Sequence, residues 1–398
     1  MAISICSNLA ILVFFKYLGT FIEDWAWIEA RTSVMSPDTG NILLPLGLSF
    51  YTLQSMGYTI DVFRGKVTAE RHFGYFALYV SFFPQLVAGP IERPGRLLPQ
   101  LRAPKPVSWA DIESGGFLIL LGLVKKVVVT DRLFVLLRAG MDAPGDLSGW
   151  QALVFGSLVL VAVYLDFSAY TDIARGSARL FGIELMRNFK RPLAARSQGE
   201  FFQRWHISLS SWLMDYLFVP LARRARARWQ RNAALLATFA IMGLWHGPTL
   251  PFLLFGLISG LAVTVERVAA RAGWRWPQTP GFDALRRLRV HLILNISGVM
   301  FLAPGLSEAG AILRRVADGD FWGIGVLSSL PAPGYFLLVL LSGLALLSWM
   351  GAISDIDAAV ARLSQRPAWQ RVLAAFGLLF MAVAFAERLI HDFIYFDF

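Results

Sequence analysis

The stretch WQALVFGSLVLVAVYLDFSAYTDI (150–173) is apolar throughout except for polar residues at its C-terminal end, among them Asp166 and Asp172. An α-helix rises about 1.5 Å per residue, so a run of this length can cross the roughly 30 Å hydrocarbon core of a bilayer. Carboxylates inside such a run are expensive in lipid and indicate either an ion pair or a functional site. The stretch therefore predicts a membrane-spanning helix with a polar feature near its C-terminal end.

Apolar runs of comparable length recur along the whole chain. The others are 3–22, 41–60, 115–138, 232–247, 251–266, 290–304, 334–352 and 370–390. Hydrophobic residues make up 56% of the 398 residues and charged residues only 16%, which is more apolar than a soluble domain needs to fill its core. No internal repeat or flexible linker separates the runs. We predict an all-α polytopic membrane protein with a single membrane domain over 1–398.

The loops between these runs alternate in charge. Arginine and lysine are concentrated after the second and fourth runs and before the fifth, whereas aspartate and glutamate are concentrated on the other side. Basic loops stay in the cytoplasm, so the net charge of +10 indicates a positive-inside pattern, and we expect no nucleic-acid partner. Nine crossings then leave the C-terminus outside. Cys6 is the only cysteine, which excludes an intrachain disulfide and a cysteine metal cluster, and we predict no metal site.

The run 74–90 does not fit this alternation, because basic residues flank it on both sides. It leads into SFFPQLVAGPIERP (81–94), where three prolines each remove a backbone donor. Carbonyl groups freed in this way are tolerated at membrane depth only where protein or a cavity surrounds them. We predict a re-entrant or interfacial segment. The alternative is a kinked spanning helix.

Five histidines are candidates for chemistry, and three have ordinary explanations. His72 lies in a basic loop, His291 opens a spanning run, and His391 lies near the end of the chain beside an aspartate. For these three we expect interfacial or structural roles. None of the phosphate-binding, dinucleotide-binding, nucleophile-elbow or HExxH patterns is present in the sequence.

His246 differs from these three because it ends an apolar helix, in the run IMGLWHGPTLP (241–251). Gly243 and Gly247 allow close backbone approach, and Pro248 stops the helix. Ionisable groups at such depth usually face a cavity. The alternative is an imidazole that fastens one helix to another through a hydrogen bond.

His206 lies in EFFQRWHISLSSWLMDYLFVPL (200–221), which is too polar in its first half to span and too apolar to be a free loop. On a single helix, Trp205, Leu209, Trp212 and Tyr216 would share one face, and Ser208, Ser211 and Asp215 another. The pattern predicts an amphipathic helix at the cytoplasmic boundary. By itself, His206 is also compatible with an interfacial histidine without catalytic function.

Asp166 and Asp172 lie close to Arg175 in the sequence, so an ion pair with an arginine such as Arg175 would satisfy their charge. The alternative is a functional carboxylate that lines a cavity.

The motifs of the chain, in order, resemble those of bacterial members of the membrane-bound O-acyltransferase family, in particular its polysaccharide O-acetyltransferases. They are LLPLGLSFYTLQSMGYTIDVFRG (43–65), FPQLVAGPIERPGRLLPQL (83–101), GLVKKVVVTDRL (122–133), YLDFSAYTDIARGSARLFGI (164–183), NFKRPLAARSQGEFFQRWHISLSSWLMDYLFVPL (188–221), GLWHG (243–247) and FIYFDF (393–398). The resemblance implies a ring of helices around a thinned centre, with re-entrant and amphipathic segments. It also implies that His246 of GLWHG is catalytic and that His206 of WHISLS is its functional companion.

Two departures from the family pattern affect these expectations. The family has further apolar helices before the segment matched by ILVFFKYLG (11–19), so the chain is expected to begin late, without those helices. The family often carries a further WGLxHG, but the equivalent run here is FGLISG (255–260), with Ser259 in place of the histidine. The second departure weakens the inference of substrate and leaves His246 unaffected.

The resemblance implies transfer of an acyl group, expected to be acetyl, from acetyl-CoA or another cytoplasmic thioester to hydroxyls of an exported polysaccharide. We expect no tightly bound cofactor, a bacterial cytoplasmic membrane location, contact with membrane lipid and a secreted acetyltransferase partner. Trp205, Ser208, Trp245 and Asp166 are candidates to line the channel. Neutral imidazole suits His246 as general base. The alternatives are D-alanyl or other acyl transfer from a carrier protein, and a non-enzymatic transporter or assembly scaffold.

Overall fold

In the computed structural model, residues 1–32, 45, 47–319 and 356–386 are described, and these residues are helical or irregular without a β-strand. The helices are α1 (Ala2–Thr32), α2 (Leu48–Phe63), α3 (Phe73–Ser81), α4 (Pro94–Arg102), α5 (Trp109–Leu123), α6 (Asp131–Asp142), α7 (Gly149–Arg179), α8 (Gln198–Arg204), α9 (Ile207–Leu213), α10 (Val219–Arg224), α11 (Arg228–His246), α12 (Leu250–Arg271), α13 (Pro280–Leu302), α14 (Leu306–Ala317), α15 (Ile356–Ser364) and α16 (Ala368–Ala384). A π-helical turn, Val124–Thr130, joins α5 to α6, and another, Met214–Phe218, joins α9 to α10. The predicted all-α class is confirmed.

Most predicted spanning runs coincide with helices. Among the described residues, α7 and α12 are long and apolar enough to cross a membrane, and Ala2–Tyr17 and α16 are shorter apolar helices. The remaining predicted runs within the described residues also fall on helices, but these are shorter or more polar. The run 334–352 lies outside the described residues. The number of crossings and the ring arrangement therefore stay predictions.

Helix α7 contains the whole run 150–173 and packs against α5, α13, α14 and the first π-helical turn. It begins with a capping box, in which Ser148 accepts a hydrogen bond from the Gln151 backbone and the Gln151 side chain accepts one from the Ser148 backbone. Most of its side chains are buried. This burial explains why its sequence is apolar all round instead of on one stripe.

The segment after α3 is broken, as predicted. Helix α3 has nine residues and is only about 14 Å long, so it is too short to cross a bilayer as a kinked spanning helix would. The irregular backbone that follows is satisfied by protein: Gln85 donates to the Tyr79 carbonyl at 3.1 Å, and the Tyr79 hydroxyl donates to the Glu92 carbonyl at 2.9 Å. Such bonds are what a non-helical segment needs where water is scarce.

The predicted single amphipathic helix over 200–221 is wrong in detail. The chain forms α8, breaks at Trp205 and His206, and resumes as α9 before the second π-helical turn. Trp205 thus does not share a helix with Leu209 and Trp212. The break arises because His206 adopts a left-handed backbone conformation, which interrupts the helical hydrogen-bond ladder.

Helix α15 is attached to the end of α7 through Asp357, whose carboxylate contacts three guanidinium groups. Arg175 lies at 2.8 Å, Arg179 at 2.9 Å and Arg187 at 2.6 Å. Burial favours the neutral acid, but the three arginines prevail and hold the pKa of Asp357 below its usual value. Arg175 therefore belongs to this cluster.

Candidate active site

His206 lies in the turn between α8 and α9, at φ 43° and ψ 53°. Among the described residues other than glycine, only His206 and Arg191 have a positive φ. This conformation costs on the order of 1–3 kcal/mol for a residue with a side chain, and it persists only where the surroundings impose it. The His206 side chain is buried, with 2% of its surface exposed.

Asn188 holds this turn in place. Its backbone carbonyl accepts from the Ile207 amide at 2.9 Å, and its side-chain oxygen accepts from the Ser208 hydroxyl at 2.6 Å. The Ser208 hydroxyl in turn accepts from the Ile91 amide at 3.0 Å. Ser208, predicted to line a channel, is therefore a fully buried link between the His206 turn and the broken segment after α3. Sequence reasoning did not single out Asn188, whose only signal was its place in a motif.

Aromatic rings surround the His206 imidazole. Its centroid lies 4.6 Å from Phe167, edge-on, and 6.4 Å from Phe50, which it stacks against. Trp205 packs on different rings, stacking at 5.2 Å on Phe201 and meeting Tyr164 at 5.9 Å. Trp205 and His206 are adjacent in the sequence, but their rings therefore contact different sets of side chains.

His246 is the last residue of α11 and has 5% of its surface exposed. Its ring lies 5.1 Å from Phe301, 5.8 Å from Phe255 and 6.3 Å from Phe252, centroid to centroid. The glycines that flank it are required for this packing. A Cβ on Gly243 would lie 2.2 Å from the Phe252 carbonyl oxygen, so no larger residue fits between α11 and α12 there.

Trp245 brings the two histidines together. Its ring centroid lies 4.8 Å from that of His246 and 6.3 Å from that of His206, and 8% of its surface is exposed. The predicted pair of histidines therefore lies around one indole in the protein interior. This proximity is the arrangement that a shared chemical centre requires.

Helix α1 closes the end of α11 at this centre. Lys16 donates a hydrogen bond to the Trp245 carbonyl, and the Tyr17 hydroxyl donates one to the Leu244 carbonyl. The last carbonyls of a helix have no partner within it, and a cation near them is favourable. Lys16 was not among the predicted site residues, although a lone lysine inside the apolar run 3–22 indicates a functional or paired side chain.

Asp166 and Asp172 form ion pairs, as one of the two interpretations expected, but their partners are lysines and not an arginine such as Arg175. Lys126 lies 2.9 Å from Asp166, and Lys125 lies 2.5 Å from Asp172. These lysines belong to the first π-helical turn, which packs along α7, so the partners come from a segment about 40 residues earlier in the chain. Asp166 is fully buried in this contact, and its role as a channel residue stays a prediction.

A cavity of about 390 Å³ lies beside the His206 turn. Its wall is mainly apolar, with Gln203, Ser210, Ser211, Thr238 and Arg267 as polar members, and Ile207 connects it to His206. Elsewhere, Ser259, which takes the place of the histidine in FGLISG, is buried on α12. Within the described ranges, no three histidine, cysteine, aspartate or glutamate side chains are grouped as a metal site would require.

Comparison with known proteins gives one family match and several relatives. The model of the MBOAT, membrane-bound O-acyltransferase family, matches residues 69–280, which include both histidines. A "probable alginate O-acetylase" of Pseudomonas putida is 30% identical, over 86% of this chain and 70% of its own length. A peptidoglycan O-acetyltransferase of Helicobacter pylori is 31% identical, over 79% and 64% respectively. A teichoic acid D-alanyltransferase of Streptococcus thermophilus is 27% identical, over 63% of each chain. The chain thus spans about two thirds of the length of these relatives.

Proposed function

Because the chain belongs to the membrane-bound O-acyltransferase family and is an O-acyltransferase, we propose that it transfers an acetyl group from a cytoplasmic thioester, acetyl-CoA, to hydroxyls of an exported polysaccharide. The observation that carries this proposal is the meeting of His206 and His246 at Trp245, inside the region that matches the family. The relatives named above are all transferases, so we do not retain the transporter or scaffold alternative.

In this proposal His246 is the general base. A hydroxyl attacks a thioester poorly unless its proton is removed as the new bond forms, and a neutral imidazole can accept that proton. Support comes from the packing of His246 among three phenylalanines and Trp245, which fixes the ring and excludes bulk water. His206 is the companion that positions the thioester.

The cavity beside His206 is the proposed donor site. Neither histidine lines the cavity, but Ile207, the neighbour of His206 in the sequence, does, and in this proposal the carrier arm lies in the cavity while the acyl group extends past Ile207 towards the histidines. Its largely apolar wall suits the flexible arm of a thioester carrier, and Gln203 and Arg267 provide polar anchors. The positive-inside pattern supports entry from the cytoplasm.

The acceptor side is proposed to be outside the cell. Two relatives carry names that specify alginate and peptidoglycan, which are both exported polymers with free hydroxyls. The proposal includes a location in the bacterial cytoplasmic membrane with the C-terminus outside, and the alternation of loop charges supports this orientation. A secreted partner that completes the transfer to the polymer belongs to the same proposal. A reporter fused after Phe398 should be active outside the cytoplasm, and cytoplasmic activity would reverse the topology.

A second candidate is D-alanyl transfer from a carrier protein, which the likeness to a teichoic acid D-alanyltransferase favours. Mass spectrometry of the cell-envelope polymers, with and without the gene, separates the two functions because acetyl and D-alanyl esters differ in mass. We expect acetyl esters to disappear on deletion.

The catalytic assignment is tested by His246→Ala, with His291→Ala as the matched control. His291 is a partly exposed histidine of α13, and its ring nitrogen forms a hydrogen bond of 2.8 Å with the Arg287 carbonyl of the same helix. His246→Ala should reach the membrane in normal amounts and lose acylation of the polymer, whereas His291→Ala should retain it. Acylation by His246→Ala at the wild-type level would remove the assignment.

A further inference from the structure

The indole N–H of Trp245 is buried without an acceptor among the residues that the structure describes. Trp212 is the natural comparison, since both tryptophans have 8% of their surface exposed. The Trp212 indole donates to the Leu53 carbonyl at 2.9 Å. A tryptophan N–H can only donate, and leaving a buried donor unpaired costs free energy. The contrast indicates that Trp245 donates to something that binds at this site.

The surroundings of Trp245 hold its ring at a defined place. Lys16 donates to the Trp245 carbonyl, and its ammonium lies 5.5 Å from the centroid of the Trp245 ring. Phe50 meets the indole edge-on at 5.7 Å. The indole is therefore fixed from several sides while its N–H lacks an acceptor, and its ring lies next to both imidazoles.

We propose that the Trp245 indole N–H donates a hydrogen bond to the carbonyl oxygen of the thioester and stabilises the oxyanion that forms on it. This inference rests on the proposed function, because it assigns a role within that same acyl transfer. It makes Trp245 a third catalytic residue beside His246 and His206, with a task that neither histidine is assigned.

The transfer then runs in two steps. The acceptor hydroxyl oxygen bonds to the thioester carbon, its proton passes to His246, and the carbonyl π pair moves onto oxygen, which accepts the hydrogen bond from Trp245. The carbonyl then re-forms, the carbon–sulfur bond breaks, and the leaving thiolate takes the proton back from His246. The products are one ester and one thiol, with His246 and Trp245 restored.

An indole is well suited to this task. Its N–H does not titrate in the ordinary pH range, so the donor is present whatever the protonation state of the histidines. A fixed donor in a site without water interacts more strongly with developing charge than the same donor in water does. The burial of Trp245 among aromatic rings provides such a setting.

The test is Trp245→Phe, with Trp212→Phe as the matched control. Purified wild-type and variant proteins in lipid vesicles are supplied with acetyl-CoA, with the secreted and cell-envelope proteins of a host strain that lacks the gene as the source of the partner, and, in turn, with alginate and peptidoglycan fragments. Thiol release and polymer acetylation are measured. We expect kcat of Trp245→Phe to fall by about 10²-fold or more, as for other lost oxyanion donors, with KM for acetyl-CoA nearly unchanged. Trp212→Phe should lower the thermal midpoint and keep kcat.

Two results would overturn the proposal: a kcat of Trp245→Phe within about threefold of wild type, or equal losses of kcat in both variants. If Trp245→Phe does not fold, 3-benzothienylalanine at position 245 replaces the N–H with sulfur and keeps the ring shape. Full kcat with that residue refutes the hydrogen bond, and a large loss supports it. Wild-type protein that acetylates neither polymer would contradict the proposed function instead, which distinguishes the two failures.

Discussion

The ion pair between Lys125 and Asp172 allows a quantitative test of the fold. The two charged atoms are 2.5 Å apart, and the side chains are 4% and 6% exposed. At an effective dielectric constant of about 20, opposite unit charges about 3 to 4 Å apart attract by about 4 to 6 kcal/mol. Most of this attraction offsets the cost of removing both charges from water.

Replacing one partner should therefore be far more damaging than replacing both. Asp172→Ala leaves the Lys125 ammonium buried, with the Ser168 hydroxyl at 3.4 Å as its remaining side-chain partner among the described residues, and should cost about 3–5 kcal/mol. The double variant Lys125→Met with Asp172→Leu fills the space with apolar atoms and should be near wild type or up to about 4 kcal/mol more stable.

The assay is a double-mutant cycle on the free energy of unfolding by a denaturing detergent in mixed micelles. Lys105→Met is the control, because Lys105 pairs with Asp111 at the surface and its loss should cost no more than about 1 kcal/mol. The reasoning would be refuted by an Asp172→Ala variant within about 1 kcal/mol of wild type. A double variant as unstable as the single variants would refute it equally.

Three further outcomes follow from the site and its supports. Gly243→Ala should destabilise the protein by about 1–3 kcal/mol and reduce acylation, because the added Cβ would collide with the Phe252 carbonyl oxygen. Gly116 has open space around it, so Gly116→Ala should be neutral or slightly stabilising in the same unfolding assay. Asn188→Ala should lower the free energy of unfolding by about 1–3 kcal/mol in that assay, because the Ser208 hydroxyl loses its acceptor. The variant should also lower acylation without affecting membrane insertion. Acylation at the wild-type level would show that the His206 turn does not need Asn188. The contact of Asp357 should persist as pH falls through the usual carboxyl pKa and be lost only below it, because the folded-state pKa is lowered; cleavage of α15 by pepsin, which works in acid, measures the loss. At neutral pH, Asp357→Asn should expose the one tryptic site of α15, Arg362, and wild-type protection of that variant would contradict the attachment.

The parts of the fold that sequence predicted well are those set by local pattern. The run 150–173 is helical throughout, and the prolines of 81–94 mark a broken segment. Burial and backbone chemistry act within a few residues of sequence, so the pattern contains the information needed. The expectation that His206 and His246 act together came from the family motifs that contain them, WHISLS and GLWHG.

The parts that sequence did not predict depend on partners far away in the chain. Lys126 meets Asp166 across 40 residues, and Arg175 meets Asp357 across 182 residues. From charge alone, Arg175 was the nearest candidate for the aspartates of α7. The left-handed backbone of His206 was equally hidden, because Asn188 imposes it from outside the segment.

The reach of Lys16 across 229 residues to Trp245 has a consequence for biogenesis. The N-terminal helix is synthesised long before α11, so its ammonium enters the membrane before the carbonyl it will bind exists. An uncompensated charge within an apolar helix favours retention near the translocation machinery or a chaperone over release into lipid. The helix that carries Lys16 is therefore expected to reach its final position only after translation has passed GLWHG, while the spanning runs predicted after residue 250 have still to enter the membrane.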